Sequence, residues 1–248
     1  MNPPKKDPYQ IPTIMLDNAS KSAYSIFNPN DWIGNSKSII VSTAAQYSLL
    51  EYQANKLPSL VQHSQKMCEL RFRELCDQWE KAPWDVNKCD YLVEVPEFHL
   101  NIQAYLATIK VFLDLIVQLI SSEGIVNTAI QGFHKKGEVI GGRILNILEN
   151  NAKQEKSETA HKLLKFIDGQ KNSWIDQAVN VRDLLVHPNE GMLQVMFRLE
   201  IGQRNGKLKL RQMLQPSLAG LQFDQYAQIT LIQVEYFSKN FLEILKAA

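Results

Sequence analysis

Cysteine is scarce in this sequence, and the little there is has no useful spacing. Cys68, Cys76 and Cys89 are the three in 248 residues, and none sits in a C-x-x-C pair. An odd count without repeated spacing excludes a disulfide framework and gives no support to a zinc or redox centre. Reduced thiols in a cytoplasmic protein are the expectation. Excess charge is missing too: 27 Lys and Arg stand against 26 Asp and Glu, a formal net charge of +1. A protein that coats nucleic acid is usually far more basic, so any such contact is expected to be local, in a cleft. An uncharged long apolar run is also lacking. The most apolar stretch, Ala104 to Ile120, is interrupted by Lys110, Asp114 and Gln118. Two charges in mid-span are costly in lipid, so this reads as a buried helix with no membrane role. The start of the chain has Lys5 and Lys6 but no apolar stretch behind them, which does not fit a secretory signal. Gly141-Gly142 has no strand before it and no Gly-Lys-Ser/Thr after it, so it is not a phosphate loop. His63, His99, His134 and His161 show no metal-ligand spacing. No metal and no cofactor are expected.

What is present suits a globular chain of one large domain or a domain with an elaboration. Residues 1–43 are read as an extended N-terminal arm, rich in Pro, Asn and Ser, ordered where Tyr24, Phe27 and Trp32 pack down. A first long helix starts near Ala44 or Pro58 and runs to about Glu80, with Pro83 as its stop. Residues 82–95 form a connector. A second helix runs from about Pro96 to Ser122 and closes at Gly124, a glycine suited to the position after a helix. Glycines break the helical pattern between 125 and 142. A third helical stretch covers Arg143 to about Ile167, broken near Lys156, with Ser157 capping its second half and Gly169 ending it. A fourth runs from about Asn172 to Val186. The period then changes. Leu193–Ile201 and Lys207–Met213 alternate loosely around Asn205-Gly206, which signals a β-hairpin. A last helix from about Asp224 to Lys246 presents Ile229, Ile232, Val234, Phe237, Phe241 and Leu245 as its apolar face. The fold class is therefore mainly α: an up-and-down bundle over 44–190, with a hairpin and final helix over 191–248 packed on it.

The informative stretch runs from Trp174 to Asn189. At about 100° per residue, Trp174, Ile175, Ala178, Val179, Val181, Leu185 and Val186 share one broad arc. Arg182 falls near its middle. A buried, unpaired guanidinium costs several kcal/mol, so Arg182 needs a carboxylate, a phosphate or water. A salt bridge to Asp114 on the second helix would satisfy it, as would a stem that snorkels to solvent. His187 is followed by Pro188, which pushes it out of the α region and ends the helix there. Five residues apart on a continuous helix would point about 140° apart; the break frees the imidazole to converge with Arg182 on one small anion. The helix C-terminus favours the imidazolium form. A plainer role for His187 is to cap the last carbonyls.

Arg182-Asp183-Leu184-Leu185-Val186-His187 resembles the R-x4-H signature of the HEPN family, the higher-eukaryote and prokaryote nucleotide-binding domains. The motif lies at the end of the fourth helix of a bundle, with a polar residue after the arginine. The resemblance covers roughly residues 44–190. It implies a metal-independent endoribonuclease of a toxin, defence or stress system, acting as a homodimer with one cleft built from two motif helices. In that setting His187 moves protons and Arg182 stabilises charge on the phosphate. Asp183 orients either residue, and Asp114 supports Arg182 from the second helix. Asn189 follows as a supporting residue. A toxin subgroup of the family carries a tyrosine at that place, which its antitoxin modifies; Asn189 puts that route of control in doubt. An antitoxin or inhibitor protein is an implied partner.

Arg198, Arg204, Lys207, Lys209 and Arg211 cluster on the hairpin. They read either as protection of an edge strand or, for Arg204, Lys207 and Lys209 in particular, as contacts to an RNA backbone. Two alternatives to a ribonuclease stay open. One is a non-catalytic HEPN module that binds nucleotide, RNA or a partner protein. The other is a structural helical dimer in which Arg182 pairs with Asp114.

Overall fold

In a computed structural model, residues 20–86, 91–154, 157–186, 195–218 and 220–247 are described, with backbone only for residue 20 and for 184–186. The chain enters through a short helix, α1 (Ser20–Ile26), and a single 3-10 turn at Pro29–Asp31. It then runs straight into α2 (Gly34–Lys81), 48 residues long. Residues 20–26 and 34–43 are thus helical, and the stretch from 20 to 43 is not an extended arm. The cause is visible in the spacing: Ile39, Ile40, Thr43, Ala44, Tyr47 and Leu50 continue one apolar stripe, all buried. Phe27 and Trp32 pack down as expected, whereas Tyr24 stays exposed. The Phe27 ring meets Tyr47 on α2 and Phe112 on the next helix, at 5.8 and 6.1 Å between centroids.

Pro58 lies inside α2. A proline there removes the hydrogen bond to the carbonyl four residues back, which is Ala54. That carbonyl accepts instead from the Gln228 side chain at 3.1 Å. The lost donor is replaced from another helix, and α2 runs through Pro58, which was expected as one possible start.

The second expected helix is found with the bounds read from the sequence: α3, Pro96–Ser122. Gly124 follows it with φ of +70°, the left-handed conformation glycine adopts freely. By length and composition α3 is apolar enough to cross a membrane, yet 56% of its most apolar window is buried inside the protein. It packs on α2 and on two later helices. Residues 125–141 form an irregular loop, tied by a small bridge between Lys136 and Val139. A helical hairpin follows, α4 (Gly142–Gln154) and α5 (Glu158–Gln170). Ser157 caps α5 by accepting from the Ala160 amide at 3.2 Å, as read from the sequence. Gly169 does not end α5. Lys171–Ile175 winds on as one π turn, and α6 (Asp176–Val186) continues from it.

The C-terminal part holds an antiparallel sheet in the order β1-β2-β3, with β2 (Met196–Arg204) and β3 (Lys207–Leu214) as the hairpin. Asn205 and Gly206 both have positive φ, +53° and +68°, the pair a type I′ turn requires. The third strand, β1 (Tyr91–Glu94), comes from the stretch expected to be a bare connector and pairs with β2 from Tyr91↔Leu199 to Glu94↔Met196. Four residues are too few for an alternation to stand out. Phe197, Leu199 and Ile201 are buried on one face of the sheet, and Phe197 meets Phe98 of α3 at 5.2 Å. A two-residue ribbon, β4 (Ser217–Leu218) with β5 (Leu221–Gln222), leads into α7 (Phe223–Lys246). On α7 the expected face is buried at Val234, Phe237, Phe241 and Leu245, but Ile229 and Ile232 are exposed. The helix presents Tyr226, Ala227 and Thr230 inward instead, and the buried Tyr105 hydroxyl donates to the Ala227 carbonyl at 2.8 Å. The chain is therefore mainly helical, with a small antiparallel sheet and a C-terminal helix.

Candidate functional site

The site is built on the C-terminal half of α6, which rests against α3. Trp174, Ile175, Ala178, Val179 and Val181 are buried, so these five members of the apolar arc read from the sequence form the packed face; the Leu185 and Val186 side chains lie outside the described residues. The π turn before α6 is pinned at both ends. The Trp174 indole donates to the Gln170 amide oxygen at 3.0 Å, and the Lys171 ammonium donates to Asp176 at 2.6 Å. The extra residue in such a turn reorients the helix that follows.

Arg182 emerges at the edge of this packed face, with 30% of its side chain exposed. Its Nη1 donates to Asp183 Oδ1 at 3.0 Å. Its Nε is buried and has no partner among the described residues. A buried donor left without an acceptor is costly, on the order of 1–3 kcal/mol. The other oxygen of Asp183 faces Lys135 Nζ at 2.9 Å, and the carboxylate is only 13% exposed. One carboxylate thus sits between two cations. Burial pushes Asp183 toward the neutral form, but hydrogen bonds from Lys135 and Arg182 outweigh it and hold its pKa below the usual carboxylate value.

Lys135 comes from the irregular 125–141 loop, and Asp114 holds that loop in place. Asp114 accepts the Phe133 amide at 2.6 Å and also pairs with Lys110 one turn earlier on α3. A Cβ on Gly132 would stand 2.7 Å from the Asp114 Oδ1, so only glycine lets the loop approach this closely. Among the described residues, Asp114 has Lys110 and Phe133 as partners and Arg182 has Asp183. The structure thus gives Asp114 a different task from the one expected. It acts on the site through the loop: Asp114 fixes Phe133, the loop presents Lys135, and Lys135 holds Asp183 beside Arg182.

His187, Pro188 and Asn189 lie outside the described residues, so Arg182 and Asp183 are the motif positions placed here. Arg204, Lys207 and Lys209 lie on the hairpin, exposed, with Arg204 opposite Lys207 and Lys209 opposite Gly202. Lys135 is the site residue that sequence reasoning missed. Its only signal was a lysine in a glycine-broken stretch next to a helix carrying an unexplained aspartate. The cysteines give no competing centre among the described residues: burial raises the Cys68 thiol to about 11 and also raises Cys76, while Cys89 is not described. No group of three or more His, Cys, Asp or Glu is placed to hold a metal among the described residues. No family model matches the sequence, and no curated protein or solved structure matches it.

Proposed function

We propose that the Arg182 site binds the phosphate of RNA and cleaves the chain there, as an endonuclease of the toxin, defence or stress type. The observation that carries the reading is the Arg182 Nε, buried and without a partner among the described residues, beside a second cation, Lys135. A phosphate oxygen is a natural acceptor for that donor. RNA supplies its own nucleophile. The 2′-oxygen attacks the adjacent phosphorus and the bond to the 5′-oxygen breaks, leaving a cyclic phosphate and a 5′-hydroxyl. The proton leaves the 2′-hydroxyl and a proton must reach the departing 5′-oxygen. His187, five residues beyond Arg182 in the chain, is the group assigned to that transfer. Arg182 takes up the negative charge that grows on the phosphoryl oxygens. Asp183, kept ionised by Lys135 and Arg182, orients the guanidinium. The cleft is completed by a second copy of the chain, which also explains why a charged group can interrupt the packed face of α6.

The test is cleavage of single-stranded RNA by the purified chain in chelator. Cyclic phosphate ends, and loss of cleavage in both Arg182→Ala and His187→Ala, are the expected results. Equal activity in either variant would remove the assignment. A second reading, a module that binds RNA, nucleotide or a partner protein without turnover, draws on a specific observation: Asp183 already occupies Arg182 Nη1, leaving less of the guanidinium for a transition state. A tight ligand with no turnover over hours would favour it.

A further inference from the structure

The outer face of the three-stranded sheet concentrates positive charge that the rest of the chain does not share. Residues 196–214 hold Arg198, Arg204, Lys207, Lys209 and Arg211 against the single acid Glu200, and β1 adds Glu94 at the end of the face away from the hairpin turn, while the whole chain is only +1. The remainder is therefore net acidic. Phe197, Leu199 and Ile201 turn inward, and the alternation sends the cations outward: all five are exposed. Protection of an edge explains lysines on β3, which is an edge strand. It does not explain Arg198, on the part of β2 that pairs with both β1 and β3.

One detail shows that a guanidinium is placed on this face. The β2–β3 register shifts between Glu200 and Ile201, and Arg211 is the residue left without a partner by the shift. Such a bulge re-aims its side chain. The Arg211 guanidinium lies across Gly202: a Cβ there would stand 2.1 Å from its Nε and 2.6 Å from its Cζ. Glycine on the central strand leaves the space in which the arginine lies flat against the sheet. Lys207, Lys209 and Arg211 then follow one another along β3 at about 7 Å per two residues, near the separation of successive phosphates along an extended single strand.

We infer that this face binds the sugar–phosphate backbone of single-stranded RNA, independently of sequence. The choice of RNA among polyanions rests on the reading of the Arg182 site; the cationic face does not. The face carries cations and no aromatic side chain among residues 196–214 other than the inward Phe197. It therefore meets phosphates and does not stack bases. Its apolar side chains among the described residues, Leu92, Met196 and Leu214, gather at the β1 end and leave the cations of β3 without the apolar stripe a membrane surface would need.

The experiment uses the full chain and a 2′-O-methyl RNA 20-mer, which has no free 2′-nucleophile, so that binding is read apart from cleavage. Affinity is followed by fluorescence anisotropy across a salt series. The triple variant Lys207→Glu, Lys209→Glu, Arg211→Glu should bind at least about tenfold more weakly, with a salt slope smaller by about 2. A control triple of equal charge change, Lys21→Glu, Lys37→Glu, Lys165→Glu, on exposed positions of α1, α2 and α5, should lose less than about threefold. Gly202→Ala alters no charge, and the atoms nearest the added methyl are the movable end of Arg211; it should fold and still weaken binding. Equal losses in the two triples, no binding by the unaltered chain, or binding to phosphatidylserine vesicles and not to RNA would each overturn the inference. Hairpin-dependent binding with no cleavage of unmodified RNA would sink the Arg182 reading and leave this one standing.

Discussion

Arg182 and the arginines of the sheet face are the same side chain under opposite conditions. On α6 the guanidinium is largely enclosed, shares a carboxylate with Lys135, and keeps one buried donor without a partner among the described residues. On the sheet the cations are exposed and follow a two-residue period. Enclosure makes an electrostatic interaction strong and geometrically exact; exposure makes it additive and weakened by salt. One region therefore suits chemistry on a single phosphate, the other the holding of many. The sheet should lose affinity as ionic strength rises, and the α6 site should respond mainly to atoms that move its carboxylate.

Four changes sharpen or break that contrast. The largest effect belongs to Arg182→Ala, which should lower RNA cleavage at least about a hundredfold while leaving the salt slope of binding at the sheet unchanged; single-turnover kinetics and anisotropy on the same preparations separate the two. Gly132→Ala comes next. The added methyl would stand 2.7 Å from Asp114 Oδ1, forcing the loop away from α3 at about 1–3 kcal/mol, read as a lower urea midpoint. Asp114→Ala leaves the Phe133 amide and Lys110 without their acceptor and should cost a similar 1–3 kcal/mol. In both variants cleavage should also fall, because Lys135 loses its support; full activity at reduced stability would show that the loop does not serve the site. The smallest stability effect lies away from both regions: Gln228→Ala, which strips the Ala54 carbonyl of its replacement donor, should cost about 1 kcal/mol with cleavage and binding intact.

Acid titration adds a directional test. The pKa of Asp183 is lowered in the folded protein, so its ionised form stabilises the fold. That contribution is fully present above the unfolded carboxylate value of about 3.9 and is lost as pH falls through the lowered folded value. Asp183→Asn should therefore flatten the acid limb of stability against pH below about 4, measured by thermal melting at each pH. An unchanged acid limb would mean that Lys135 and Arg182 do not hold the carboxylate in solution.

The sequence made some elements easy to read. α3 is a long apolar run with a proline at its start and a glycine after its end, and Asn205-Gly206 fixes the hairpin by its backbone preference alone. Other elements depend on distant partners. Pro58 reads as a boundary until Gln228, far along the chain, supplies the missing donor. β1 is four residues whose pairing comes wholly from β2. Ile229 and Ile232 look like core on a helical wheel, yet the packing of α7 leaves them outside. At the site, Arg182 stood out as a charge in an apolar arc, and Asp183 as its polar neighbour. Lys135 could not be found, because its place depends on Asp114 drawing a glycine-containing loop onto α3. For the same reason Asp114 was noticed as an anomaly and given the wrong partner.

The buried donor of Arg182 is the centre of the functional reading, and nitrogen-detected NMR observes it directly. The Arg182 Nε–H resonance, assigned by its loss in Arg182→Lys, should move as a 2′,3′-cyclic nucleotide is added, while the arginines of the sheet stay near their starting positions until much higher ligand concentration. A saturating cyclic nucleotide, or single-stranded RNA, that leaves the Arg182 Nε–H where it was would contradict the assignment of this site to phosphate.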